Sequence, residues 1–293
     1  MSLYNVTRAA SGERSVMISA LMGWVDAAGA ATDAADHIAG DGPVVATFDG
    51  DELFDYRSNR PVLDIEDGAL TEVTWPEIIL RESSLGSRDI LVLTGSEPDM
   101  RWRAFSESMV SLAQEMNVGL HITLGSVPAA VAHTRPTPLL TTASREDLVA
   151  DKSELPPRMR VPSAAISVVD KALGEAGIDA IGFFAQIPHY VNGPYHDGVL
   201  TLVGRVASHL GVEVALDELR RQATEERARL DEVVGARPDA KEYVERLEGA
   251  ARGENLPSGE ELAEEFQRYF SQQDPGAGPF PGGGPEGRDP FEG

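Results

Sequence analysis

Val16-Met17-Ile18-Ser19-Ala20-Leu21 is followed by Met22-Gly23-Trp24-Val25-Asp26 and then by the alanine-rich stretch Ala27–Ala39. The first segment is apolar without alternation, so it reads as a strand buried on both faces. The last reads as a helix. Between them a short turn carries one acid, Asp26, at the place where a side-chain oxygen can accept the free N–H groups of a first helical turn. Strand, turn and helix in that order form the unit from which α/β layers are built.

The same unit recurs along the chain. Strands are expected at Val44–Phe48, Ile78–Glu82, Ile90–Thr94, Gly119–Leu124, Leu139–Ala143 and Ile178–Gln186. Helices are expected at Trp102–Met116, Ser163–Ala176 and Gly198–Leu210. The segment Gly125–Pro138 reads as a loop. Together these give an α/β fold, a three-layer domain around a mixed, largely parallel sheet, over residues 1–211. Residues 212–270 change character and read as an acidic helical appendage. Leu216, Leu219, Ala223, Leu230 and Val233 mark one face of its first helix, and Asp217–Arg221 and Glu225–Arg229 are acid-first pairs four apart. Pro238 opens a second helix with Tyr243, Leu247 and Ala250 inward, and Ser258 with Glu261 marks the start of a third. Residues 271–293 are rich in Gly, Pro and acid and are expected to be disordered.

Composition narrows the function. There is no cysteine, which excludes disulfides, thiol catalysis and thiolate metal sites. The formal net charge is −23, unfavourable for nucleic acid or an anionic membrane. No apolar run approaches the ~20 residues that span a bilayer, and the N-terminus has no signal-peptide layout, so a cytoplasmic protein is expected. Phosphate-loop and dinucleotide glycine motifs are absent, and no cofactor is expected.

Four segments could carry chemistry. The first is Gly23-Trp24-Val25-Asp26, with Asp26 either capping a helix or facing a ligand on the crest where strand C-termini meet helix N-termini. The second is Gly95-Ser96-Glu97-Pro98-Asp99-Met100-Arg101-Trp102, in which Pro98 is expected to open a helix whose N-terminus favours Glu97 and Asp99. Arg101 is then free to pair with a neighbouring carboxylate. Carboxylates at both turns disfavour phosphate there. The third runs from Gly125-Ser126-Val127-Pro128 to His133-Thr134-Arg135-Pro136. It offers a hydroxyl and an imidazole without an assignable acid, while Arg135 is suited to forked contacts with carboxylates. The fourth is Pro188-His189-Tyr190-Val191 through His196-Asp197, whose Gly193-Pro194 break argues against a metal site and for aromatic packing or a pocket wall.

These segments, in this order, resemble the proteasome assembly chaperone family in its actinobacterial branch. The resemblance spans about Met17 to Leu210 and implies a nucleoside-phosphorylase-like architecture, self-association as a homo-oligomer with a trimer favoured, and proteasome subunits as partners. Family members that dock on proteasome rings tend to end in hydrophobic–tyrosine–any residue; here Phe291-Glu292-Gly293 puts glutamate in the tyrosine's place. The reading that follows is a self-associating scaffold with Trp24, Asp26, Glu97, Asp99, Arg101, Trp102, Ser126, His133, Arg135, His189 and Tyr190 as ligand or interface residues. The alternative is a small-molecule hydrolase or transferase using Asp26, Glu97 and His133 in a strand-crest pocket. A third reading places partner binding on the helical appendage.

Overall fold

The structure, a computed structural model, describes residues 3–8, 15–149, 151, 152, 155 and 158–251. Eight strands form one sheet. In chain order they are β1 (Tyr4–Val6), β2 (Ser15–Ser19), β3 (Val44–Phe48), then β6 (Ile78–Leu85), β7 (Arg88–Gly95), β8 (Val118–Ala129), β9 (Leu139–Ala143) and β10 (Asp179–Pro188). The spatial order is β1-β3-β6-β7-β2-β8-β10-β9. The central strands β7, β2, β8 and β10 run parallel, and antiparallel strands flank them on both sides. This is the mixed sheet of the expected α/β class. Two further strands, β4 (Val62–Glu66) and β5 (Ala69–Thr74), form a separate ribbon that the sequence reading did not anticipate.

Alternation along β2 explains the layers. Val16, Ile18 and Ala20 point to one core with α1 (Ala30–Ala39) and α5 (His196–Leu210). Met17 and Leu21 point to the other, with α3 (Trp102–Glu115) and α4 (Ala165–Glu175). Both faces are therefore apolar, as the run of the strand requires. In α3 the residues Phe105, Met109 and Leu112 recur at helical spacing and are fully buried. Each large apolar side chain so buried contributes about 1.5–3 kcal/mol. On the opposite face Ala30, Ala31, Ala34 and Ala35 are all buried, and their small size lets α1 lie close against α5.

Four expectations are corrected. The helix expected from Ala27 begins regularly only at Ala30, because Ala28 takes a left-handed conformation (φ 57°) and residues 27–29 form a tight 3-10 turn. Gly125–Ala129 is the end of the long strand β8, not a loop: its backbone continues to pair with Phe184–Pro188 of β10. Helix α3 starts at Trp102, as its expected range Trp102–Met116 has it, but Pro98 does not open it: Arg101 takes a left-handed conformation (φ 58°) just before the helix. Val233, placed on the inward face of the first C-terminal helix, is exposed.

The C-terminal helices α6 (Asp217–Gly235) and α7 (Pro238–Ala251) pack on the α/β layers. Leu219 joins the α1/α5 core. Val244 and Leu247 form a small cluster with Ala132, with Tyr190 and Tyr243 packed against it. The helix expected from Ser258 and the tail from Ser271 lie outside the described residues. Among the described residues, no helix is long and apolar enough to cross a membrane.

Candidate functional site: the strand crest

The four segments meet along one line, the C-terminal crest of the parallel strands. Met22 pairs with Ser96, and Asp26 with Ser126, in single parallel bridges beyond the regular strands. Further along, the backbone N–H of His189 donates to the Ala129 carbonyl. Each polar candidate except Arg135 has an internal task.

Asp26 caps α1. Its Oδ1 accepts from the N–H groups of Ala31 (2.9 Å) and Thr32 (3.1 Å), and its Oδ2 accepts from the Thr32 hydroxyl (2.6 Å). Burial pushes its carboxyl above the ordinary carboxylate value, and the hydrogen bonds from Thr32 and Ala31 partly offset this. The sign for stability follows. A raised pKa in the fold means that protonation stabilises the fold below the ordinary carboxylate pKa, and that this contribution is lost as pH rises through the raised value. Asp26→Asn keeps the acceptor and cannot ionise. Its stability relative to the native protein is therefore expected to improve as pH rises from acidic to neutral, read by urea unfolding across that range. Asp26→Ala, which removes the cap and likewise cannot ionise, is expected to cost about 1–2 kcal/mol at acidic pH and less as pH rises.

Glu97 does not cap the helix that follows it in sequence. Its Oε2 accepts from the Trp24 N–H (3.0 Å), and its Oε1 accepts from the N–H of Ala165 (2.6 Å), in the first turn of α4. One carboxylate thus ties the Gly23-Trp24 turn to a helix nearly seventy residues away. Gly23 makes the approach possible: a Cβ there would lie 2.6 Å from Glu97 Cβ and 2.6 Å from its Oε2. Asp99 accepts from the Asp55 N–H (2.9 Å), fixing the end of the short helix α2 (Gly50–Leu53). Arg101 pairs with Glu52 of that helix. The Trp102 indole donates to the Pro98 carbonyl at 2.5 Å.

Ser126 is fully buried, and its hydroxyl donates to the Ala27 carbonyl (2.9 Å). His133 is also buried. Its Nε2 lies 3.2 Å from Asp231 of α6, and its Nδ1 lies 2.7 Å from the Tyr190 hydroxyl. A carboxylate only accepts, so in the neutral ring Nε2–H donates to Asp231 and Nδ1 accepts from Tyr190. The Tyr190 oxygen in turn accepts from the His133 N–H (2.9 Å). Burial pushes the Tyr190 phenol up to about 12, which keeps its proton in place. His189 Nδ1–H donates to the Ala129 carbonyl (3.0 Å), leaving Nε2 to accept from Tyr243 of α7 (3.1 Å). The rings of His133, His189, Tyr190 and Tyr243 stand edge to face, with neighbouring centroids 5.7–6.3 Å apart. Thr134 bonds to Glu248. On the β8–β10 side, then, the chain's own α6 and α7 close the crest. Arg135, just beyond, is exposed.

On the β7–β2 side the crest presents apolar groups to solvent: Met22 (58% exposed), Trp24 (39%) and Met100 (41%). An open cleft of about 470 Å³ lies at the opposite end of the sheet, lined by Gly40, Gly42, Glu82 and Asp89 among others. Asp26, Glu97 and His133 each bond to different groups and share none of the hydrogen-bond partners named above. Among the described residues, no group of three or more His, Asp or Glu side chains is arranged to hold a metal ion.

One hydrogen-bonded series went unseen in the sequence. Ser19 Oγ lies 2.8 Å from His121 Nε2, and His121 Nδ1 lies 2.8 Å from Asp170 Oδ1, which also accepts from the Thr123 hydroxyl at 2.8 Å. The order of hydroxyl, imidazole and carboxylate is that of a nucleophilic triad. Ser19, His121 and Thr123 are all fully buried, however, so the hydroxyl faces no substrate. The group is a polar tie between β2, β8 and α4. The available signal was polarity inside apolar strands: Ser19 between Ile18 and Ala20, and His121 and Thr123 flanking Ile122.

A mixed sheet with a parallel centre, helices on both faces and a crest built from these four segments defines an α/β protein of the proteasome-assembly-chaperone kind. The chain belongs to the PAC2 family, which it matches over residues 20–234. It is similar to a protein of unknown function from Corynebacterium glutamicum, with 31% identity and a TM-score of 0.81, covering 87% of this chain and 98% of that one. It is also similar to a proteasome-assembly chaperone homologue from Mycobacterium tuberculosis, with 32% identity and a TM-score of 0.73, covering 78% and 99%. The archaeal proteasome activator PbaB of Pyrococcus furiosus shares the fold at 16% identity and a TM-score of 0.60, covering 80% and 99%. No curated protein matches.

Proposed function

We propose that this protein is a self-associating chaperone-like scaffold that binds a protein partner through the β7–β2 side of its crest, with proteasome subunits as the partner class. The observation that carries the reading is the division of labour at the crest. Asp26, Glu97, Asp99, Ser126, His133 and His189 are each engaged in holding the chain together, while Met22, Trp24 and Met100 face outward. Exposed tryptophan and methionine on a rigid, internally braced ledge suit recognition of another protein surface. The family membership and the proteasome-assembly chaperone homologue at 32% identity support the partner class. A cytoplasmic setting and homo-oligomers, a trimer first among them, belong to the same reading.

The test is co-elution of the full chain with isolated proteasome α and β subunits. A shared peak is expected, and Trp24→Ala is expected to weaken the association about tenfold or more, as loss of a central aromatic anchor does. Separate elution from every proteasome subunit would sink the partner assignment.

A further inference from the structure

The ribbon β4–β5 is an anomaly on physical grounds. All eleven of its strand residues are exposed, and it shares no ladder with the main sheet. A lone two-stranded ribbon is at best marginal in water; stability takes a third strand or a surface to pack on. Its two faces differ sharply. Cross-strand pairs Leu63–Val73 and, across a bulge that skips Thr71, Ile65–Leu70 juxtapose four apolar side chains, between 43% and 70% exposed. The pair Asp64–Glu72 places two carboxylates directly opposite each other on the other face, where Glu66 joins them. Like charges so placed repel. From Val62 to Trp75 the chain carries four acids and no lysine or arginine. Among the described residues, no backbone hydrogen bond joins either outer edge of the ribbon to another segment.

The same molecule presents a matching segment elsewhere. Arg158-Met159-Arg160-Val161, just before α4, is exposed and belongs to no helix or strand. Its residues alternate basic and apolar. Met159 is 52% exposed and Val161 64%. Among the described residues, neither arginine has an acidic partner. In a chain with a net charge of −23 this is a locally basic segment. Laid along an edge of the ribbon, the period of two would send Met159 and Val161 to the apolar face and Arg158 and Arg160 to the acidic face.

We propose that Arg158–Val161 of a second copy of this chain docks on the β4–β5 ribbon as its third strand. Ribbon and segment are both solvent-exposed within one copy, so the occupant comes from another. The contact joins two different surfaces and therefore builds a ring or a reciprocal pair. This rests on the self-association proposed above and names its surface.

The test is light scattering on the full chain as a function of concentration, using two charge reversals. One is Asp64→Arg with Glu72→Arg on the ribbon; the other is Arg158→Glu with Arg160→Glu on the segment. All four side chains are at the surface, so folding is not at stake. Each reversal alone is expected to weaken self-association at least about tenfold, because it sets like charges against each other. Both reversals in one chain are expected to restore most of it. An oligomeric native protein whose assembly is unchanged by either reversal would overturn this inference while leaving self-association in place. A native protein that stays monomeric at every concentration would overturn self-association itself, and the inference with it. Single reversals that weaken assembly without rescue in the combined variant would also count against the proposed pairing.

Discussion

His121→Leu is expected to lower the unfolding free energy by about 3–5 kcal/mol, the cost of breaking a buried, hydrogen-bonded polar group away from its partners. Leucine is similar in volume to the imidazole, so the loss comes from hydrogen bonding rather than from a cavity. The Ser19 hydroxyl would be left fully buried with its acceptor gone, and an orphaned buried group costs about 1–3 kcal/mol. Asp170 would keep only the Thr123 hydroxyl from this series. The decisive comparison is with Ser19→Ala combined with His121→Leu. Removing both ends of the 2.8 Å contact is expected to recover part of the loss, since no hydroxyl is then stranded. Urea unfolding of the two variants and the native chain gives the coupling directly. Equal stability of His121→Leu and the native protein would mean that the tie contributes nothing.

The second large effect is truncation before Asp217. Leu219, Val244 and Leu247 are buried, and at about 1.5–3 kcal/mol each their loss amounts to about 4.5–9 kcal/mol. That is comparable to the whole stability of many domains, about 5–15 kcal/mol. The cut also takes Asp231 from His133, Glu226 from the backbone N–H of His196, and Arg227 from Asp197. The truncated chain is expected to lose cooperative unfolding and to bind a hydrophobic dye. A truncated core that melts cooperatively within a few degrees of the full chain would instead show that these helices are accessory, and would revive them as a separable partner-binding module. Leu219→Ala in the full chain, at about 2–5 kcal/mol, separates core packing from the loss of length.

These two results bear on what a reader of the sequence can see. The strands were legible because Val16–Leu21 and Ile178–Gln186 are largely apolar without strict alternation, which points to burial on both faces. The cap at Asp26 was legible because its targets lie five and six residues on. Glu97 was misplaced for the complementary reason. Local rules assigned it to the next helix, while its acceptor atoms serve Trp24 and Ala165, 73 and 68 residues away. The Ser19–His121–Asp170 tie spans 102 and 49 residues, so only the fold brings its members together. The ribbon's alternation of Leu63, Asp64, Ile65 and Glu66 is a strand pattern that the sequence reading passed over, and its standing apart from the sheet depends on tertiary structure. In the same way, Ser126 and His133 looked like accessible chemistry until β8 ran on past the crest and α6 closed over it.

The closure of the crest by α6 and α7 has a consequence in time. Strand β10 is complete at Pro188, but Val244 and Leu247, which cover Ala132 and lie beside Tyr190, come about sixty residues later. At synthesis rates of about 5–20 residues per second, that is a delay of roughly 3–12 s, longer than many domains take to fold. During that interval a nascent chain can already have its sheet assembled while the aromatic ledge around His189 and Tyr190 stands open. Helices α6 and α7 leave the ribosome after the sheet and are the ones that seal it, so the finished protein and its nascent form offer different surfaces to whatever meets them first.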